Sequence, residues 1–304
     1  MFKKILSTSR NSVLLLAIML PLVASRLLLG LLDGSALKYS IAAILLQLFC
    51  FIVPTAAFLI LRFGNGMPEL HLSIPRLNTT SVTVASVFML ISGAMLIVLL
   101  GGTSEDYAFT SYNGFDISAQ YSFGELILMI IAGALIPAIF EELIFRGIFS
   151  AIYSESGAIC AATLSTLFFS LVHMNIASLP VFLFAGIILW TLFTSTRSIY
   201  APIAVHFLYN LFCMLGLPYI NAFYGDTVSR ELFIFILTVI LLLSSAVFFA
   251  GLAYIYKGNS ENGVSTVFPR GIGITESVKA IALELCSVST LLCVAVFLLT
   301  ALLM

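Results

Sequence analysis

The sequence predicts an all-α fold, a polytopic transmembrane helix bundle of eight to nine spans. Two observations carry that reading. Of the 304 residues, 61% are hydrophobic and only 9% charged, against roughly 45–50% and about 25% in soluble domains. A soluble chain of this size would expose apolar patches far beyond the few hundred Å² that a monomer tolerates. The second observation is continuity. The apolar runs do not alternate as barrel strands do, and several reach the roughly 20 residues that a helix needs to cross about 30 Å of hydrocarbon.

Nine stretches qualify, at about 11–32, 40–63, 81–101, 126–153, 157–174, 179–196, 199–217, 231–256 and 280–303. The fifth to seventh are short, so eight spans is the lower count. Lys3 and Lys4 precede an apolar run ending Val23-Ala24-Ser25, the outline of a signal peptide. The run resumes after Arg26 with Leu27 to Leu32, so it reads as a retained anchor whose arginine snorkels to the interface. Loop 64–80 holds Pro68 and Pro75, and loop 257–279 holds Pro269 and Gly271, which mark turns. The organisation reads as N-terminal transmembrane helices over 1–122, a helical core over 123–217 and C-terminal transmembrane helices over 218–304. No internal repeat or low-complexity tract interrupts it.

Basic residues orient the chain. With a cytoplasmic N-terminus, the inner segments carry Lys3, Lys4, Arg10, Arg62, Arg76, Arg197, Lys257, Arg270 and Lys279. The outer ones carry only Lys38 and Arg230, and the 102–122 loop has Glu105, Asp106 and Asp116 without a base. The expected location is a bacterial plasma membrane, with the lipid bilayer as the first partner. A net charge of −1 leaves no basic patch for nucleic acid. The five cysteines lack CxxC spacing and lie in apolar runs, as small packing residues do.

An ionisable group inside a span is costly, so each one is a candidate for function. Glu141, Glu142 and Arg146 share the fourth stretch, His173 ends the fifth, and His206 and Asn210 share the seventh. Glu142 and Arg146 are four apart and can pair on one helical face. Glu141 points about 100° away, unpaired, as a desolvated base would. His206 and Asn210 lie on one face and present an imidazole and an amide together. Measured from the end where the fourth stretch stops, Glu141 lies about 18 Å deep, His173 about 24, His206 about 12 and Asn210 about 18 Å. They converge near mid-bilayer. Asn175 reads as a helix-end residue, Glu125 and Glu284 as interfacial, and His71 as a solvated loop residue.

Glu141-Glu142-xxx-Arg146, Phe169-xxx-His173 and His206-xxx-Asn210 resemble the three motifs of the CPBP intramembrane proteases. That family includes CAAX prenyl endopeptidases and bacteriocin-immunity proteins. The resemblance spans roughly 125–215. It implies hydrolysis of a peptide bond in a membrane-associated protein or peptide substrate. Glu141, helped by His173, would activate a water, His206 and Asn210 would hold the oxyanion, and Glu142 with Arg146 would keep the site in shape. Such chemistry requires no cofactor. Zinc is the alternative, with Glu141, His173 and His206 as a His₂Glu shell and water in the fourth position. Two other functions fit a bundle with midplane carboxylates. One is a non-catalytic protein of the same fold binding a peptide, toxin or signalling partner. The other is a transporter, for which no matched pair of broken spans is present.

Overall fold

Apolar segments in lipid must satisfy their own backbone hydrogen bonds, and helices do so within one segment. The computed structural model describes residues 11–32, 36–63, 69–75, 78–101, 120–217, 219–220, 229–262 and 272–303. Lys3, Lys4, Arg10, Arg76, Glu105, Asp106, Asp116 and Arg270, used above for orientation, lie outside the described residues, as do Pro68, Pro269 and Gly271. The described residues form helices without strands. In chain order these are α1 (Val13–Gly30), α2 (Ala36–Phe63), α3 (Thr80–Gly101), α4 (Phe123–Ser154), α5 (Ala158–Val172) and α6 (Leu179–Thr196). After them come α7 (Tyr200–Gly216), α8 (Arg230–Glu261), α9 (Ile274–Leu285) and α10 (Val288–Leu303).

The expected helical bundle is the observed one, with a lower span count. Six helices, α1 to α4, α6 and α8, are long and apolar enough to cross a bilayer, and α9 with α10 makes a seventh if the pair is one span. That pair, expected as one helix, bends by 62°. The short stretches are the reason for the difference. α5 has 15 residues, which is only about 22 Å of rise against about 30 Å of hydrocarbon.

Helix α3 is the central post. In its apolar window 61% of residues are buried, against 17% for α2 and 22% for α8, whose remaining faces are left for lipid. Close approach holds the neighbours in place. A Cβ on Gly93 would collide with Phe184 of α6, and one on Gly251 of α8 would collide with Val82 of α3. Between α4 and α5 the core is aromatic, with Phe145 edge-on to Phe169 and Phe149 edge-on to Phe168. Helix α1 adds fully buried Leu14, Leu15, Ile18 and Met19, and the Ser12 hydroxyl just before it reaches Ser289 of α10 at 2.6 Å.

Helix α4 is α-helical in three stretches separated by π-helical turns at Ile131–Leu135 and Leu143–Phe149. The first has a visible cause. In a π pattern the Ala132 carbonyl would accept from residue 137, but Pro137 has no N–H. Gln47 of α2 supplies the missing donor, its Nε2 lying 3.1 Å from that carbonyl. Glu125 lies at the start of the helix in a capping box with Ser122.

Two loop or interface expectations are corrected. Glu284 is not interfacial but fully buried, at the end of α9 beside the bend. His71 is not solvated. Its ring meets Phe193 edge-on at 5.7 Å and its carbonyl accepts from Ile199 N, so the 69–75 segment lies against the end of α6. Burial holds this imidazole below its usual pKa, against the raising effect of Glu69. The cysteines are free, with Cys50, Cys160 and Cys293 buried as packing residues.

Candidate active site

The Glu-Glu pair occupies the last turn of the α-helical stretch Ile136–Glu142, between the two π turns. Helical rotation sends the two carboxylates different ways. Glu142 pairs with Arg146, Oε1 to Nη1 at 2.9 Å, and neither side chain is exposed. Arg146 also donates from Nη2 to the Gly186 carbonyl at 3.3 Å and lies over the Phe169 ring at 4.2 Å. The i,i+4 pair expected from spacing is therefore present.

Glu141 turns instead to the end of α5. Its Oε2 is 3.7 Å from His173 Nε2 and has no hydrogen-bond partner. His173 Nδ1 lies 2.8 Å from the Phe169 carbonyl. A carbonyl only accepts, so Nδ1 carries the proton in a neutral ring and Nε2 presents a lone pair to Glu141. Phe182 of α6 stacks on the imidazole at 3.8 Å, and Phe169 packs edge-on at 4.9 Å, which together fix the ring plane.

His206 reaches the other carboxylate. Its Nδ1 is 2.8 Å from Glu142 Oε1, so Glu142 holds both Arg146 and His206. One turn further along α7, Asn210 is buried and lines the same space as Glu141, His173 and His206. That space is a cavity of about 840 Å³, within the range of small-ligand sites. It runs from Glu141 to the helix ends at Gly30, Ser178 and Leu217.

The short length of α5 creates one wall of it. The chain leaves helical structure at His173 and turns through 174–178 before α6 begins. Irregular backbone at membrane depth is tolerated only inside protein or along a hydrated cavity. Here the turn lines the cavity and several of its polar groups are matched. Met174 N donates to Leu171 O, Ser178 N to Asn175 Oδ1 at 2.9 Å, and Arg26 Nη2 to His173 O at 3.0 Å. Asn175 is thus a helix-end residue that also lines the cavity.

Spacing within the chain missed three contributors. Arg26 stays exposed near the end of α1, and its Nη2 also donates to the His173 carbonyl at the edge of the cavity. Its only signal was a charge inside an apolar run. Phe182 and Gly186 had no signal, because their roles depend on how α6 lies against α5. A Cβ at Gly186 would come within 2.7 Å of Thr166 Cγ2, so only glycine allows the approach that brings its carbonyl to Arg146.

A His₂Glu zinc shell needs its three donors gathered around one ion. Each histidine has the second partner that a metal ligand uses, Phe169 O for His173 and Glu142 for His206, where the sequence offered no free carboxylate. The ligands themselves do not gather: among the described residues no group of three or more His, Cys, Asp or Glu side chains could hold an ion.

The apolar helices define a multi-pass membrane protein with ionisable side chains gathered along one cavity. Residues 123–212 match the family described as Type II CAAX prenyl endopeptidase Rce1-like. A stretch of 89 residues, 29% of this chain, is 33% identical to a Bacillus subtilis (strain 168) protein named "Putative membrane peptidase YdiL". The chain spans 36% of the length of that relative. No solved structure matches. The resemblance to the CPBP family read from three motifs is borne out over the segment that carries them.

Proposed function

We propose that this protein is an intramembrane endopeptidase that hydrolyses a peptide bond of a membrane-associated protein or peptide by a glutamate-activated water. The observation that carries the proposal is the pair of acceptors, Glu141 Oε2 and His173 Nε2, 3.7 Å apart at the head of a cavity. Two acceptors at that distance suit one water that donates a hydrogen to each. Such a water turns its lone pair towards the cavity, where a scissile carbonyl carbon can lie. As its oxygen attacks, Glu141 takes the proton and later returns it to the leaving amine. Asn210 offers an amide N–H to the developing oxyanion. His206 offers Nε2–H when it carries both ring protons, a form for which Glu142 is the counter-ion.

This mechanism asks nothing of a metal. The purified protein in proteoliposomes is expected to keep cleaving a panel of apolar peptides after exhaustive chelation, with metal content measured on the same sample. Stoichiometric zinc, with activity lost on its removal and restored on its return, would overturn the glutamate-water mechanism.

Orientation belongs to the same proposal. We place the N-terminus in the cytoplasm of a bacterium, as the basic residues suggest. Among the described residues, Arg62, Arg197, Lys257 and Lys279 then lie at inner helix ends, and the cavity opens at the opposite ends. A cysteine placed after Ser260 is expected to react only from the cytoplasmic side, and one at position 116 only from outside. Labelling of both from one side would refute the arrangement, and with it entry of substrate from the outer half of the bilayer.

A further inference from the structure

The elbow between α9 and α10 holds an acid that the proposed chemistry does not use. Glu284, in the last turn of α9, is fully buried, and neither of its carboxylate oxygens has a hydrogen-bond partner. Among the described residues no Lys or Arg pairs with it, and Lys279 of the same helix pairs with Glu276 instead. The backbone adds to the cost. The carbonyl end of α9 points into the elbow, where the helix dipole disfavours an anion. Helix α10 begins at Val288, but its first turn spends a donor on Ser287, with Thr290 N donating to Ser287 Oγ at 3.2 Å. A buried carboxylate so placed calls for a counter-charge. Its neighbours are oxygens. The hydroxyls of Ser12, just before α1, and Tyr153, at the end of α4, stand beside it, and Tyr153 Oη also has no hydrogen-bond partner. An unpaired acceptor beside an unpaired hydroxyl points to a third group that both of them touch. Next to them, Ser12 Oγ lies 3.2 Å from Ser287 Oγ, which lies 3.0 Å from Thr290 Oγ1. Each hydroxyl keeps a free lone pair after its own bonds are made.

We propose that the α9–α10 elbow is a sodium site, with Glu284 as the charged ligand and the hydroxyls of Ser12, Tyr153 and Ser287 as neutral ones. Donor type and charge select the ion. Oxygen donors without nitrogen or sulfur suit a hard cation. A single carboxylate neutralises a monovalent ion, whereas a divalent one would leave a net positive charge among apolar helices. Size favours sodium over potassium. Sodium is close to calcium in radius, and oxygens about 2.4 Å from such an ion stand about 3.4 Å from one another. The Ser12–Ser287 separation of 3.2 Å fits that spacing, and the larger potassium would force it wider. The ion would tie the start of α1, the end of α4 and the C-terminal helix pair to one point. Of the four ligands only Tyr153 falls within the family-matched residues 123–212. The site is therefore independent of the peptidase reading.

The full-length protein in detergent is dialysed into choline chloride, and its thermal unfolding is followed as sodium chloride replaces choline at constant ionic strength. The unfolding temperature is expected to rise by about 5 °C and then saturate, as binding to the folded state alone requires. Potassium should need at least about 10-fold more salt for the same rise. Equilibrium dialysis with radiolabelled sodium should find about one ion per chain at saturation. Glu284→Gln keeps the shape and removes the charge. It should abolish sodium binding and the sodium-dependent rise, while unfolding in choline no lower than the wild type. Tyr153→Phe loses one neutral oxygen and should raise the half-saturating sodium concentration about 10-fold. It decides the matter should Glu284→Gln not fold, and unchanged half-saturation in it would overturn the assignment. Wild-type stability that is the same in choline and sodium would overturn the proposal outright. So would equal rises in sodium and potassium, the mark of a general salt effect. Stability that grows on acidification but not with sodium would give the carboxylate a proton in place of an ion, and would refute the site as well.

Discussion

Glu141→Gln is expected to lower kcat by about 10²–10⁴-fold, the usual worth of a positioned general base. The amide keeps the shape of the carboxylate but takes no proton from water. The fold should not suffer, because Glu141 Oε2 has no hydrogen-bond partner in the protein to lose. Initial rates and thermal unfolding measured on one detergent preparation separate the two effects. Normal turnover by this variant would remove the base from the mechanism. A large drop in unfolding temperature would show that the carboxylate holds the bundle together.

Glu142→Gln should behave in the opposite way. It leaves Arg146, fully buried, without its counter-ion, at a cost of about 3–5 kcal/mol for a broken buried pair. It also removes the charge from the oxygen on which His206 Nδ1 rests. Expression and thermal stability should fall first, and turnover with them. Combining Glu142→Gln with Arg146→Met removes both charges from the core, and stability should largely return, since a buried ion pair is often replaceable by apolar side chains. Activity should not return, because His206 still lacks the carboxylate charge beside Nδ1. A Glu142→Gln protein as stable as the wild type, impaired only in turnover, would contradict this division of labour within the glutamate pair.

Much of this was legible in the amino-acid sequence. Apolar runs of fixed length announce helices in lipid, because no other single segment can satisfy its own backbone there. Within one helix, spacing is geometry: Glu142 and Arg146 had to face one way and Glu141 another, and they do. The meeting of Glu141 with His173 was implied by the resemblance, and their depths only placed both near mid-bilayer.

What the sequence could not decide was which faces meet. His206 was expected on the oxyanion or on a metal, and nothing in its spacing told that its Nδ1 would rest on Glu142, 64 residues away. Arg26 read as a snorkelling residue and, still exposed, is also bonded to the carbonyl of His173, because α1 lies against that turn. Glu284 read as interfacial and is buried by a bend. Gln47 donates to a carbonyl that Pro137 left without its donor, 85 residues along the chain. The physical reason is common to all four. Periodicity along a helix is dictated by a rise and a rotation per residue, and it can be counted in one dimension. The contact between two helices depends on where a missing Cβ lets their backbones approach, as at Gly93, Gly186 and Gly251. It depends too on how far a short helix stops inside the membrane. The helices and their polar faces were therefore determined by the sequence alone, and the choice of partners across them by the packed bundle.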